Sequence, residues 1–175
     1  MGKSILITGV SGSGKSAVCA ELNKRGYKAY DIEEMHDLFN WRNKNTGDII
    51  DDLDNQDLEL VKQHDWVCNK KALEKIMSEN KDTTFYCGTA SNTDEIFDMF
   101  DMVFLLIADN ETTRKRLSTR ETNNFGRTEE VQEWVLTWKE WWENHLVKKG
   151  ATVIDANRNI KEVVDEIISK IESIK

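Results

Sequence analysis

Short apolar runs recur along the chain at residues 4–8, 28–32, 83–87, 102–107 and 152–154, each followed by a polar or helix-patterned stretch. That alternation predicts five strands in a parallel sheet flanked by helices, an α/β architecture. Two stretches carry a stripe at three- and four-residue spacing: Val131, Trp134, Val135, Trp138, Trp141, Trp142 and Leu146, and Val163, Val164, Ile167, Ile168 and Ile171. Each predicts a helix packing by one face, and the four tryptophans of the first stripe read as part of that buried face. No internal repeat, low-complexity tract or proline-rich linker interrupts the pattern; the chain contains no proline.

Between the first run and the first helical pattern lies GVSGSGKS, residues 9–16. A Gly/Ser linker is one reading of its composition, but the apolar KSILIT before it and the helix-patterned SAVCAELNKRG after it frame it as a strand-to-helix turn. Gly9, Gly14, Lys15 and Ser16 complete G-x-x-x-x-G-K-[ST]. Successive N–H groups of such a loop form an anion nest at the positive end of a helix. Gly9, Ser11, Gly12, Ser13, Gly14, Lys15, Ser16 and Ala17 are therefore the candidate nucleotide cradle. Lys15 is assigned to the β- and γ-phosphates, with no part in packing, and the Ser16 hydroxyl to Mg²⁺.

Composition narrows the class. At 175 residues and 39% hydrophobic content the chain reads as one domain, residues 1–175, with room for an inserted subdomain. A net charge of −8 lacks the basic face a nucleic-acid binder needs. Three cysteines, at 19, 68 and 87, show neither disulfide parity nor metal spacing and fit a reducing cytoplasm. No signal peptide or membrane-length apolar segment is visible, so a soluble cytoplasmic protein, monomer or homodimer, without membrane partners is expected.

The run GVSGSGKSAV resembles that of gluconate kinases, and the order of elements resembles the small P-loop kinases that include adenylate, shikimate and gluconate kinases. That resemblance implies ATP and Mg²⁺ at the carboxyl edge of the sheet, a helical acceptor-binding insert over residues 36–80 and a lid over residues 116–130. Four of the seven arginines, Arg114, Arg116, Arg120 and Arg127, fall between residues 114 and 127. Arg116-Leu-Ser-Thr-Arg120 resembles the lid-entrance R-x-x-x-R of adenylate kinases, which implies Arg116 on adenine and Arg120 on phosphate. Arg120 and Arg127 suit the charge that phosphoryl transfer spreads over three oxygens; Arg114 is assigned to solvent. A helix face of solvated arginines is the other reading. Residues 122–127, TNNFGR, read as a mobile loop with a glycine that can bend. Arg158, in the turn after the last strand, is placed beside the base.

Asp31 and Glu33 follow the second strand and share a face if that strand continues. Shikimate and gluconate kinases carry D-x-D there, which implies that one acid aligns or deprotonates the acceptor hydroxyl and the other lies near Mg²⁺ or substrate. Asp31 is the expected aligning acid, with Glu33 beside it; an acidic helix start is the alternative. Gly88, with Thr89 or Asn92, is expected to line the acceptor pocket or to cap the next helix. In the insert, Trp41 and Trp66 can stack on a base or sugar face or pack internally. Between residues 36 and 65 eight acids face three bases, with Arg42 the only arginine. A monophosphate acceptor needs bidentate arginines, so this balance favours a neutral or cationic hydroxyl compound, a nucleoside or polyol. The expected function is transfer of the ATP γ-phosphoryl group to such a hydroxyl. A nucleoside monophosphate kinase and an NTP-dependent switch with a protein partner are the alternatives; the lack of N-K-x-D and of a Walker-B D-E weighs against the switch.

Overall fold

The computed structural model describes residues 2–121 and 123–173. Thr122, first residue of the expected lid loop, lies outside the described residues. The five expected strands form β1 (Ser4–Thr8), β2 (Lys28–Asp31), β6 (Thr84–Cys87), β7 (Met102–Ile107) and β8 (Thr152–Asp155). They make one sheet in the order β2-β6-β1-β7-β8, every pairing parallel. The chain crosses from one side of β1 to the other between β6 and β7, so the loops around β1 open at the switch point where such sheets bind ligands.

Strand residues alternate between two apolar layers, the period-2 consequence of the pleat. Ile5, Ile7, Phe85, Cys87, Phe104 and Leu106 face α1 (Lys15–Lys24) and α7 (Ile160–Glu172), packing on Val18, Leu22, Val163, Val164 and Ile167. Leu6, Tyr86, Val103 and Leu105 face the opposite layer, with Leu73, Ile96, Phe97 and Leu146. Complete burial of each such side chain contributes about 1.5–3 kcal/mol. No helix among the described residues is long and apolar enough to cross a membrane.

Three expectations change. The insert is not helical throughout: β3 (Phe39–Asn43), β4 (Ile49–Ile50) and β5 (His64–Cys68) form an antiparallel sheet in the order β4-β3-β5, beside α2 (Leu58–Gln63) and α3 (Lys70–Glu79). Phe39, Trp41, Trp66 and Cys68 share one face of it, because Phe39 pairs with Cys68 and Trp41 with Trp66. Asn43 turns the chain out of β3 by accepting hydrogen bonds from Asn45 N and Thr46 N, and Asp57 and Asn69 cap the two short helices.

The second change concerns α6 (Glu129–Lys149), whose buried face carries Val131, Val135 and Leu146 with the ion pair Lys139–Glu143. Trp134, Trp138 and Trp142 are only half-buried, and Trp141 is 69% exposed, stacked on His145. The stripe was too wide for one face: Trp141 lies about 140° around the helix from Leu146 at ~100° per residue.

Third, β2 ends at Asp31, and residues Ile32–Glu34 form a 3-10 turn. Asp31 and Glu33 therefore do not share a strand face.

Candidate active site

The loop 9–16 runs from β1 into α1, with Gly14 at φ 103° as the residue before the helix. A side chain is strained in that left-handed conformation, so glycine lets the loop turn its N–H groups inward. The Lys15 ammonium is buried and donates to Gly9 O at 2.8 Å and Val10 O at 3.2 Å. It therefore braces the loop as well as charging it, contrary to the sequence-based expectation that it takes no part in packing. Burial pulls its pKa down, opposed by the nearby Glu33 and Asp31 carboxylates.

The two acids point to different partners. Ser16 Oγ donates to Asp31 Oδ2 at 2.6 Å. Glu33 is held on both oxygens: Trp66 Nε1 donates to Oε1 at 3.0 Å and Thr89 N to Oε2 at 3.2 Å. Burial raises the Glu33 pKa, against the pull of Lys15 and these hydrogen bonds. A hydroxyl and a carboxylate in contact, as Ser16 and Asp31 are, form a hard oxygen donor set of the kind Mg²⁺ takes when phosphates and water complete its shell.

A cleft of about 450 Å³ brings together Ser11, Gly12, Ser13, Gly14, Lys15, Ser16, Ala17, Glu33, Arg116, Arg120 and Arg158. Arg116, on α5 (Asn110–Thr119), donates to Ser13 O at 3.2 Å and Ala156 O at 2.7 Å, pinning the loop to the turn after β8. Arg120 caps α5 and donates to Phe125 O; its Nε is buried without a partner among the described residues, and burial lowers its pKa while Glu33 opposes the shift. Arg127 is exposed and donates to Arg120 O at 2.8 Å, so it supports Arg120 from outside the cleft. Arg114 pairs with Glu133 at the surface, and Arg158 pairs with Glu166.

The remaining expected acceptor residues scatter. A Cβ on Gly88 would stand 2.6 Å from Ile32 Cγ1, so Gly88 is the position against which the 3-10 turn carrying Glu33 packs. Gly88→Ala is expected to destabilise the fold by about 1–3 kcal/mol, a shift readable in the urea midpoint at unchanged m-value. Asn92 stands at the N-cap position of its helix without a side-chain cap bond and lies outside the cleft lining; its side chain bonds both Cys68 N and Cys68 O, fixing β5. Arg42 lies on the β3 face opposite Trp41, its Nε bonded to Asn40. Sequence reasoning missed Asn123 in the cleft lining and the brace from Thr89 Oγ1 to Gly9 O. Neither carries a sequence signal, since both depend on loops meeting across the sheet edge.

A family model described as an AAA domain matches residues 5–137. No curated protein matches the chain significantly. Among solved structures, a deoxyadenosine kinase from M. mycoides is similar at 21% identity and TM-score 0.59, covering 98% of this chain and 100% of that one. A sugar kinase from Janibacter sp. HTCC2649 is similar at 14% identity and TM-score 0.59, covering 98% and 95%. A gluconokinase from Sinorhizobium meliloti 1021 is similar at 17% identity and TM-score 0.55, covering 98% and 93%. At such identities the likeness is one of fold: the chain has the α/β fold of these small P-loop kinases.

Proposed function

The chain belongs to the AAA domain family, and from that premise we propose that it transfers the γ-phosphoryl group of ATP to a hydroxyl of a small molecule. The observation that carries this reading is Glu33: a carboxylate fixed by Trp66 and Thr89 in the cleft that holds Lys15 and Arg120. An acceptor hydroxyl needs a fixed acid to align it and take its proton; an attacking water can use the same acid, and the acceptor screen below separates the two. The names of the similar structures, kinases of a deoxynucleoside, a sugar and gluconate, support the same reading.

In this reading the loop N–H groups and Lys15 bind the phosphates, and Arg116 borders the base. Glu33 accepts the hydroxyl proton as the acceptor oxygen bonds the γ-phosphorus and the bond to the β-phosphate oxygen breaks, releasing ADP. Ser16 and Asp31 would hold Mg²⁺, which would supply charge neutralisation to the phosphates. Arg120 meets the charge spread over the transferring group, with Arg127 behind it. Arg120→Ala is expected to lower kcat about 10²-fold with little change in ATP affinity. Steady-state kinetics beside calorimetric ATP titration separates the two; loss of affinity alone would make Arg120 a ground-state ligand.

A monophosphate acceptor fits less well. Glu33 would repel its phosphate, and Arg42, the insert's only arginine, faces away from the Trp41 side of its sheet. ADP release measured over nucleosides, sugars, gluconate, shikimate, aminoglycosides and nucleoside monophosphates tests the proposal. Turnover with monophosphates alone, or ATP hydrolysis that no hydroxyl compound stimulates, rejects it.

A further inference from the structure

Four aromatic rings run in sequence from the core to the lid loop. Phe39, buried against the main sheet, stacks on Trp66 with centroids 5.4 Å apart and planes at 26°. Trp66 meets Trp41 at 5.2 Å, and Trp41 meets Phe125 at 6.2 Å. Three of the rings belong to the insert sheet; Phe125 belongs to the segment between α5 and α6. Polar bonds tie this row to the two groups that face each other in the cleft. Trp66 Nε1 holds Glu33 Oε1, and the Phe125 carbonyl receives Arg120 Nη2.

This arrangement conflicts with a stacking role for the tryptophans. Trp66 has Phe39 and Trp41 as neighbours, and Trp41 has Trp66 and Phe125, so each indole already has two aromatic partners. None of the four rings lines the cleft among the described residues. What the rings do have is continuity. A continuous row of rings links the element that carries the acid's donor to the element that carries the arginine's acceptor.

We propose that Trp66 and Trp41 are positioning residues: Trp66 fixes the Glu33 carboxylate, and Trp41, through Phe125, seats the lid loop so that Glu33 and Arg120 occupy the cleft together. The significance for catalysis rests on the phosphotransferase reading above. The physical link does not, and it can be measured without turnover.

The lid half is read by hydrogen exchange at the amides of residues 123–128 in the full chain, for Trp41→Ala, Phe125→Ala and the double variant. Each single variant is expected to exchange about three- to tenfold faster, as loss of one aromatic pair implies. The double variant should be no faster than either, because one contact cannot be lost twice. Trp41→Phe keeps a ring and should restore most of the protection, which separates the contact from a general loss of fold. Unchanged exchange in the single variants, or additive effects in the double, overturns the link.

The acid half is read at the Trp66 indole N–H, the donor to Glu33. In Glu33→Ala its hydrogen exchange is expected to be about three- to tenfold faster, as loss of one hydrogen bond implies, while Glu33→Gln keeps an acceptor and should retain most of the protection; unchanged exchange in Glu33→Ala overturns this half. If the wild-type chain phosphorylates none of the acceptors while both readouts behave as expected, the phosphotransferase reading fails and the positioning link stands.

Discussion

Lys15→Ala is expected to lower turnover by at least about 10²-fold and to weaken the fold by about 1–3 kcal/mol at the same time. The first effect follows from charge: the Lys15 ammonium shares the cleft with Glu33 and Arg120, where the proposed mechanism gathers the phosphate charge. The second follows from burial, because Lys15 Nζ is the donor to the carbonyls of Gly9 and Val10, and alanine leaves them without it. Turnover with the best acceptor, ATP titration calorimetry and urea unfolding on the same preparations separate the two. Full turnover in a folded variant would remove Lys15 from the mechanism. Unaltered unfolding would show that solvent replaces the lysine at those carbonyls.

Glu33→Gln is expected to reduce transfer by roughly 10² to 10⁴, the range of a positioned base, with ATP binding nearly intact. Asp31→Asn should act through the Ser16 side, raising the Mg²⁺ concentration needed for half-maximal rate and costing less in kcat at saturating metal. The sequence alone favoured Asp31 as the aligning acid; the mechanism proposed from the hydrogen bonds divides the roles the other way. The division also has a pH signature. Burial raises the Glu33 pKa, and a base works only when ionised. Turnover should therefore fall as pH drops through a value above the ordinary carboxylate range, stay high above it, and lose this limb in Glu33→Gln. Rate profiles for the three proteins decide the matter: a greater loss in Asp31→Asn than in Glu33→Gln would return the base to Asp31.

The insert shows why the acceptor side resisted reading from sequence. Phe39, Trp41, Trp66 and Cys68 form one face only after two strands twenty-odd residues apart pair in register, and strands of two to five residues leave too few alternations to outweigh a helical reading of a polar segment. The exposed Trp141 is a related case, because a stripe records spacing, while the neighbour that arrives decides which flank is covered.

The sequence by itself determined the five strands, the phosphate loop and the arginine cluster. Each of these is local: a run of apolar residues, a glycine at a strand-to-helix turn, or charges close together in the chain carry their meaning wherever the segment is placed. Only the tertiary structure decided which acid faces Ser16 and which faces the cleft. It also decided that Lys15 braces its own loop, that Gly88 makes room for Ile32, and that Trp66 holds Glu33 instead of presenting a free face. Apart from the Lys15 bonds, which span five and six residues, those are contacts between segments 15 to 56 residues apart, such as Ser16 with Asp31 and Glu33 with Thr89. A local change of backbone conformation redirects them, as the 3-10 turn after β2 turns Glu33 away from Asp31; their geometry is set by packing across the sheet edge, which no spacing within one segment encodes.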